Sequence, residues 1–297
     1  MSKRVLITGA SGFVGSHVLN YLLEKTDWTF VCPCSFRHKG NPLRIEKNDR
    51  VEVPTLDLTG VIPSLGDFHY ILNLASESHV TRSIQDPVPF VENNISLALQ
   101  VLEYARKHPP ELALHFSTDE VFGDSGGSEL NPSNPYAASK ASQELIAMAY
   151  ERTYSIPVVI TNSNNIIGSG QDKEKFVPKI ASEIRKDYTV YLHTSGGQFG
   201  SRYYNHATNV AAALLFIIEN GIRDGRYNIP GGEKLNNLEM ARAVAELLGE
   251  ELHYKQVDAE VDRPGYDKTY PEPDSKLTNL GFKPPISFKD GLREAVL

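Results

Sequence analysis

The sequence predicts an α/β fold, a doubly wound parallel sheet with a smaller C-terminal lobe, and three observations support that prediction. Val5-Leu6-Ile7 is a short aliphatic run of the kind found in a buried parallel strand. Gly9, Gly12 and Gly15 follow at intervals of three, and an apolar helical pattern (Phe13, Val14, Val18, Leu19, Leu22, Leu23) begins inside them. Further strand-like runs then alternate with helical patterns as far as Thr161. A strand, a tight turn and a helix in this order leave N-terminal N–H groups facing an anion. Glycines stand where a side chain would block a pyrophosphate or the helix-to-strand packing. The spacing G-x-x-G-x-x-G makes this turn one residue longer than G-x-G-x-x-G, and the setting predicts a Rossmann-type dinucleotide site.

The bulk composition narrows the class. With 297 residues, 40% hydrophobic and 23% charged, the chain has enough material for a nucleotide domain with a smaller partner. Its net charge of −7, without a dense Lys/Arg block, argues against a nucleic-acid partner. No apolar run approaches the roughly 20 residues of a membrane span, and Met1-Ser2-Lys3-Arg4 leads straight into the first strand, so no signal peptide is expected. Two cysteines, Cys32 and Cys34, are too few for a disulfide framework or a metal site, which points to a reducing cytoplasm.

In chain order, Thr29 to Cys32 reads as the second strand. A carboxylate about 20 positions beyond the glycines would select NAD. Here the segment is Cys32-Pro33-Cys34-Ser35-Phe36-Arg37-His38-Lys39, and Arg37 and Lys39 suit a 2′-phosphate, so NADP is the expected cofactor, with NAD the alternative. Arg50 to Val53 reads as a third strand, and Asp57-Leu58 falls where a turn meets the adenine edge. Phe68 to Leu74 is a fourth strand, ending in Ala75-Ser76-Glu77-Ser78-His79, small residues for a cofactor and then polar ones for a substrate. A long helix is expected over Pro87 to Lys107, starting at proline.

Leu112 to Ser117 is a fifth strand, with Thr118-Asp119-Glu120 at its C-terminal end. Two carboxylates beside a hydroxyl make a candidate acid–base pair there, although a helix cap or a solvated turn would produce the same triplet. Tyr136 and Lys140 follow, four apart on a helix-forming stretch reaching Tyr154. That spacing puts both on one helical face, where an ammonium would lower the tyrosine's pKa toward the range of a base.

These motifs taken together resemble a known family. The glycine turn, Ser117-Thr118-Asp119-Glu120-Val121-Phe122-Gly123 and Asn134-Pro135-Tyr136-Ala137-Ala138-Ser139-Lys140 are similar to those of the extended short-chain dehydrogenase/reductases, and specifically of their nucleotide-sugar 4,6-dehydratase branch. Ala75 to Ile84 resembles the same branch, and Thr-Asp-Glu is the sharpest match. Cofactor-binding residues by this resemblance are Gly9, Ser11, Gly12, Phe13, Val14, Gly15, Asp57, Leu58, Ala75, Ser117, Tyr136, Lys140 and Ser163; Ser35, Arg37 and Lys39 are added by the chemistry of their own loop, where Cys34 departs from the family's ribose-binding Asp. Substrate-binding residues are Glu77, Ser78, His79, Thr118, Asn165, Lys175, Phe176, Arg202, Arg263 and Tyr266. Within these, Arg202 is implied against the diphosphate, and Tyr266 replaces the family's histidine in its Arg-Pro-Gly-His-Asp turn.

The implied catalytic residues are Thr118, Asp119, Glu120, Tyr136 and Lys140. The implied activity removes water from a nucleotide-diphosphate hexose. Tyr136 takes the C4 hydroxyl proton, Thr118 bonds the C4 oxygen, Glu120 removes the C5 hydrogen and Asp119 protonates the leaving C6 hydroxyl. Lys140 holds the nicotinamide ribose and tunes Tyr136. A 4-epimerase or related sugar oxidoreductase would share Tyr136 and Lys140 without needing the acid–base pair, and a non-catalytic dinucleotide sensor would need only the fold.

In the second half, Val158 to Thr161 reads as a sixth strand followed by the polar run Asn162 to Asn165, Ala211 to Glu219 as an apolar helix, Tyr227 to Ile229 as a short strand and Leu235 to Leu248 as an amphipathic helix. The expected division is a dinucleotide domain over 1–161, with 203–229 packing back on it. A substrate-binding lobe takes 162–202 and 230–297. Apolar residues left over on the helices near 87–107 and 136–154 (Val91, Ile95, Leu99, Leu102; Leu145, Met148, Tyr150), together with the resemblance, imply a homodimer through a four-helix bundle.

Overall fold

The computed structural model describes residues 2–35, 41–125, 129–259 and 264–297; Arg37, Lys39 and Arg263 lie outside them. The first half runs β1 (Arg4–Thr8), α1 (Phe13–Lys25), β2 (Thr29–Val31), β3 (Val51–Glu52), β4 (Tyr70–Asn73), α2 (Val80–Gln85), α3 (Pro87–Lys107), β5 (Leu112–Thr118), α4 (Pro135–Tyr154) and β6 (Val158–Ser163). It continues through β7 (Asn165–Ile167), α5 (Phe176–Ile184), β8 (Val190–Ser195), β9 (Gln198–Phe199), β10 (Ser201–His206), α6 (Ala207–Glu219) and β11 (Arg226–Asn228). It closes with β12 (Glu233–Asn236), α7 (Asn237–Leu248), β13 (Tyr254–Asp258), α8 (Lys276–Asn279) and α9 (Phe288–Val296).

Seven strands form one sheet in the order β11-β6-β5-β4-β1-β2-β3, and every neighbouring pair is parallel. The winding runs outward from β1 to β2 and β3 on one side and to β4, β5 and β6 on the other. The crevice beyond β1 and β4 is therefore the topological switch point, where ligands bind in open α/β sheets. Both faces are covered, and this explains the aliphatic run of β1. Val5 and Ile7 join the cluster that includes Leu19, Leu22, Val210 and Leu214, whereas Leu6 joins Ile71, Val101, Leu102 and Ala147 on the other side. The fold is the Rossmann-like arrangement the sequence predicts.

Two smaller sheets, β12-β10-β7 and β13-β8-β9, carry the second half. Val177, Ile180 and Ile184 of α5, Met240 and Val244 of α7 and Leu292 and Val296 of α9 pack with them in a third cluster. Residues 203–206 belong to β10 in the small sheet, and the return to the main core begins at α6. Leu277 and Phe282, near the C-terminal end, join the main core. Among the described residues no helix is long and apolar enough to cross a membrane.

Differences from the sequence reading have local causes. The strand expected to end at Thr161 runs into the polar segment: β6 continues through Ser163 and β7 starts at Asn165. The polar side chains are tolerated there because they are bonded, Asn162 Nδ2 to the Thr118 carbonyl at 3.0 Å and Asn164 Nδ2 to Asp119 Oδ2 at 3.1 Å. Helix α6 starts four residues before the apolar run, at Ala207, because the His206 side chain caps it by accepting from Thr208 N at 3.3 Å.

The glycine turn yields a stability prediction. A Cβ on Gly15 would lie 2.1 Å from the Gly9 carbonyl oxygen, a backbone atom that cannot swing aside. Gly15→Ala is expected to cost about 1–3 kcal/mol, the range for overpacking, and to reduce retained dinucleotide. Denaturant titration measures the first effect and release of cofactor on unfolding the second; a variant as stable as the parent would show that the turn relaxes freely.

Candidate active site

The dinucleotide cradle is built from backbone. Gly9 ends β1 with φ +74°, in the left-handed region, and accepts from Gly12 N at 2.9 Å. A Cβ on Gly9 would lie 2.8 Å from Ala75 N, so the turn presses directly on the end of β4. Helix α1 has Gly12 at its N-cap with no side-chain cap bond, so the first amides point outward for an anionic group. Beyond them opens a cleft of about 590 Å³ lined by Gly9, Ser11, Gly12, Phe13, Val14, Gly15, Cys34, Ser35, Asp57, Leu58, Ala75, Ser117, Tyr136 and Lys140. The turn's geometry and the residues along the cleft fit a nicotinamide dinucleotide. Cys34 is on the wall where a ribose-binding carboxylate would stand, and burial pushes the neighbouring Cys32 thiol up to about 12.

A second cleft of about 300 Å³ shares Phe13, Val14, Ser117 and Tyr136 with the first, so the two meet at the start of α4. Thr118, Glu120, Ser163, Asn165, Lys175 and Phe176 line it, Ser78 and His79 line both, and Glu77 lines the first alone. Of the remaining expected residues, Asp119, Arg202 and Tyr266 line neither cleft.

The Arg202 guanidinium donates to the carbonyls of Asp267 at 2.6 Å and Lys268 at 3.1 Å, and lies 4.4 Å from the Tyr270 ring centroid and 5.2 Å from that of Tyr266. It holds the 266–270 segment against β10, its donors directed at these backbone carbonyls and its face at the two rings rather than at a diphosphate. The Tyr266 hydroxyl accepts from Asn237 Nδ2 at 3.1 Å, at the start of α7.

The reactive groups sit where β5 and α4 deliver them. Asn134 caps α4, accepting from Ala137 N at 2.9 Å, and Pro135 occupies the first turn, so Tyr136 and Lys140 project from a fixed helix start. The Tyr136 amide donates to Ser83 Oγ at 3.1 Å, and its ring meets Phe90 edge-on with centroids 6.3 Å apart. After Thr118, Asp119–Ser125 form a 3₁₀ turn. Thr118 Oγ1 donates to Asp119 Oδ1 at 3.3 Å and accepts from Glu120 N at the same distance, while Asn134 Nδ2 donates to Glu120 Oε2 at 3.4 Å.

Electrostatics divide these groups. Burial, reinforced by the Glu120 charge, pushes the Asp119 carboxyl up to about 7; bonds from Asn164 and Thr118 oppose the shift. Asp119 therefore keeps a proton close to neutrality, the condition for a general acid. Burial pulls Lys140 down to about 8 against the opposing Glu144 charge.

The expectation that Lys140 lowers the Tyr136 pKa is corrected by the structure. Burial and the Glu120 charge hold the phenol above its ordinary value, with only a Thr118 hydrogen bond opposing. The Lys140 ammonium instead donates to the Phe116 carbonyl at 2.7 Å and to Gln143 Oε1 at 2.6 Å.

Several site residues escaped the sequence reading. Asn164 holds Asp119, a partner 45 residues away that no local pattern around Asn164 marks. Glu144 extends the Tyr136–Lys140 stripe by one more interval of four, a signal that was present and unused. Arg44 lies on the wall of the first cleft, donating to the Gly170 carbonyl at 2.6 Å and Asp172 at 3.4 Å, and no local pattern marks it.

The Asp119 shift has a consequence for stability. Below about pH 4 both folded and unfolded chains hold this proton. As pH rises toward 7 the unfolded chain releases it first, so the wild-type protein loses stability across that window. Asp119→Asn removes that loss. Its melting temperature relative to the parent should rise between about pH 4 and pH 8, as followed by thermal denaturation; a constant difference would mean an ordinary carboxyl.

Comparison with known proteins agrees with this geometry. A profile of the NAD dependent epimerase/dehydratase family matches residues 5–230. The chain is 33% identical to a dTDP-glucose 4,6-dehydratase of Haemophilus influenzae, covering 98% of this chain and 96% of that one. It is 32% identical to the low-salt glycan biosynthesis protein Agl12 of Haloferax volcanii, covering 98% and 97%. A dTDP-glucose 4,6-dehydratase from Streptomyces venezuelae, solved with NAD bound, superposes with a TM-score of 0.91 at 30% identity, over 99% of this chain and 95% of that one. The chain belongs to the NAD dependent epimerase/dehydratase family and is an extended short-chain dehydrogenase/reductase of the kind that modifies nucleotide sugars.

Proposed function

We propose that the protein is a nucleotide-sugar 4,6-dehydratase, converting a nucleotide-diphosphate hexose to the 4-keto-6-deoxy sugar and water. The observation that carries this reading is the Asp119–Glu120 pair. One carboxyl, buried, keeps its proton near neutrality, and its neighbour lines the second cleft beside Thr118 and Tyr136. An epimerase needs no such pair.

Gly9, Gly12, Gly15 and the other residues of the first cleft would hold the dinucleotide, whose nicotinamide would supply a reversible hydride acceptor for the sugar. The chain's own groups manage the protons. Tyr136 takes the proton of the C4 hydroxyl as a phenolate, a state that the positive charge of a bound nicotinamide would have to favour against the burial and the Glu120 charge that keep the phenol protonated. Thr118 holds the oxygen as it becomes a carbonyl. That carbonyl acidifies the C5 hydrogen, which Glu120 removes. Asp119 protonates the C6 hydroxyl as it leaves as water, and Glu120 gives its proton back to C5. The proton left on Tyr136 restores Asp119 through solvent, so one water is lost and the cofactor ends as it began. For the diphosphate, Lys175 is the cation on both walls; it anchors through the Ser78 carbonyl at 2.7 Å.

NADP is the proposed cofactor, because Cys34 and Ser35 stand where a carboxylate would repel a 2′-phosphate. A cytoplasmic homodimer is proposed through α3 and α4. Of the residues expected on that face, Leu145 is 56% exposed and Val88 beside them 64%, apolar positions that suit a second copy, whereas Leu102 is buried in this chain's own core, with Met148 and Tyr150 packed against it.

Incubation with a panel of nucleotide hexoses, followed by mass spectrometry, is expected to show loss of one water from one of them; a 4-epimer formed without water loss would point to the epimerase reading instead. Tyr136→Phe is expected to fold, retain dinucleotide and lose about 10²–10⁴-fold in turnover. Near-normal turnover would remove Tyr136 from the mechanism. Leu145→Asp is expected to convert a dimer to a monomer by light scattering, and a parent that is monomeric at micromolar concentration would reject the bundle.

A further inference from the structure

We propose that Glu144 is a positioning residue for this site: paired with Arg226 and bonded to Asn162, it holds in register the turn that carries Thr118, Asp119 and Glu120. The proposal rests on the dehydratase reading for what the turn does, but its structural basis is independent of the substrate. Glu144 is completely buried on α4, on the same helical face as Tyr136 and Lys140.

Its Oε1 accepts from Asn162 Nδ2 at 2.7 Å, and the same amide nitrogen donates to the Thr118 carbonyl at 3.0 Å. One carboxylate oxygen thus fixes the amide that fixes the last residue of β5. Its Oε2 lies 2.7 Å from Arg226 Nη2, and the Arg226 guanidinium sits over the Phe122 ring at 5.6 Å, in the turn itself. The turn is therefore gripped at two points, by its backbone at Thr118 and by a side chain four residues on. Both grips converge on one ion pair.

Burying this pair confers little net stability, since apolar residues of similar volume fill such positions as well or better. Removing only one partner would strand a buried charge, so the informative variant removes both. The pair also bears on Lys140, whose charged form Glu144 favours. The other titratable groups acting in this region are Tyr136 on α4, His115 on β5 and, in the turn, Asp119 and Glu120.

The test compares the parent with Glu144→Gln/Arg226→Met, which keeps an acceptor for Asn162 and discards both charges. The double variant is expected to melt close to the parent. With whichever nucleotide hexose the parent turns over, kcat per folded molecule should fall at least about tenfold with KM little changed, as misplaced catalytic groups predict. Independently of any substrate, Lys140 should titrate at lower pH in the variant, as followed by NMR of ε-carbon-13 lysine with Lys140→Arg giving the assignment. Unchanged kcat together with an unchanged Lys140 titration overturns the proposal, as does lost stability with full activity per folded molecule. If the parent releases water from no nucleotide hexose, the dehydratase reading fails, and the Lys140 titration still decides whether Glu144 acts on this site.

Discussion

The close approach of the glycine turn to the end of β4 is the constraint on which the rest depends. With Gly9 pressed against Ala75 and Gly15 against the Gly9 carbonyl, α1 meets the sheet at the switch point with its first amides pointing along the crevice. Any side chain at these positions would lift the helix from the strand or fill the space of a pyrophosphate. The long cleft, the position of Tyr136 and Lys140 on its far wall, and its opening into the second cleft all follow from where that turn lets a ligand lie.

The second organising feature is a layer of polar groups buried under the C-terminal ends of β4, β5 and β6. Thr8 Oγ1 donates to Asn73 Oδ1 at 2.8 Å and Asn73 Nδ2 meets His115 Nδ1 at 3.2 Å, while Lys140 with Gln143 and Asn162 with Glu144 form two further buried pairs. Polar groups in a core are mostly paired, and here the pairs join the ends of neighbouring strands. The same burial sets the protonation states. It raises Asp119 and Tyr136 and lowers Lys140, all three in the direction that disfavours charge.

The connection between β7 and α5 ties the smaller lobe across both clefts. At one end Asp172 and the Gly170 carbonyl accept from Arg44, and at the other Glu174 pairs with Arg82 at 3.2 Å and His79 at 3.3 Å. Partly exposed ion pairs of this kind contribute roughly 0–1 kcal/mol each, so their effect is on where the segment lies more than on overall stability. It is the segment that carries Gln171 and Lys175 to both clefts.

The sequence by itself determined the winding of the main sheet, the dinucleotide turn and the order of the reactive residues, because each is written in contiguous patterns. Val5-Leu6-Ile7, the glycines at intervals of three and the Tyr136–Lys140 spacing are local, and local geometry leaves few ways to satisfy them. Helix α3 was legible from end to end because Pro87 starts it and its apolar period is sustained. What only the tertiary structure decided concerns distant partners. Arg202 bonds carbonyls more than sixty residues away, Asn162 anchors the Thr118 carbonyl of the neighbouring strand, and the buried surroundings of Tyr136, not a lysine one helical turn along, set its protonation. Hydrogen-bond acceptors and desolvation are supplied by whichever chain segments fold against a side chain, and sequence spacing carries no record of them.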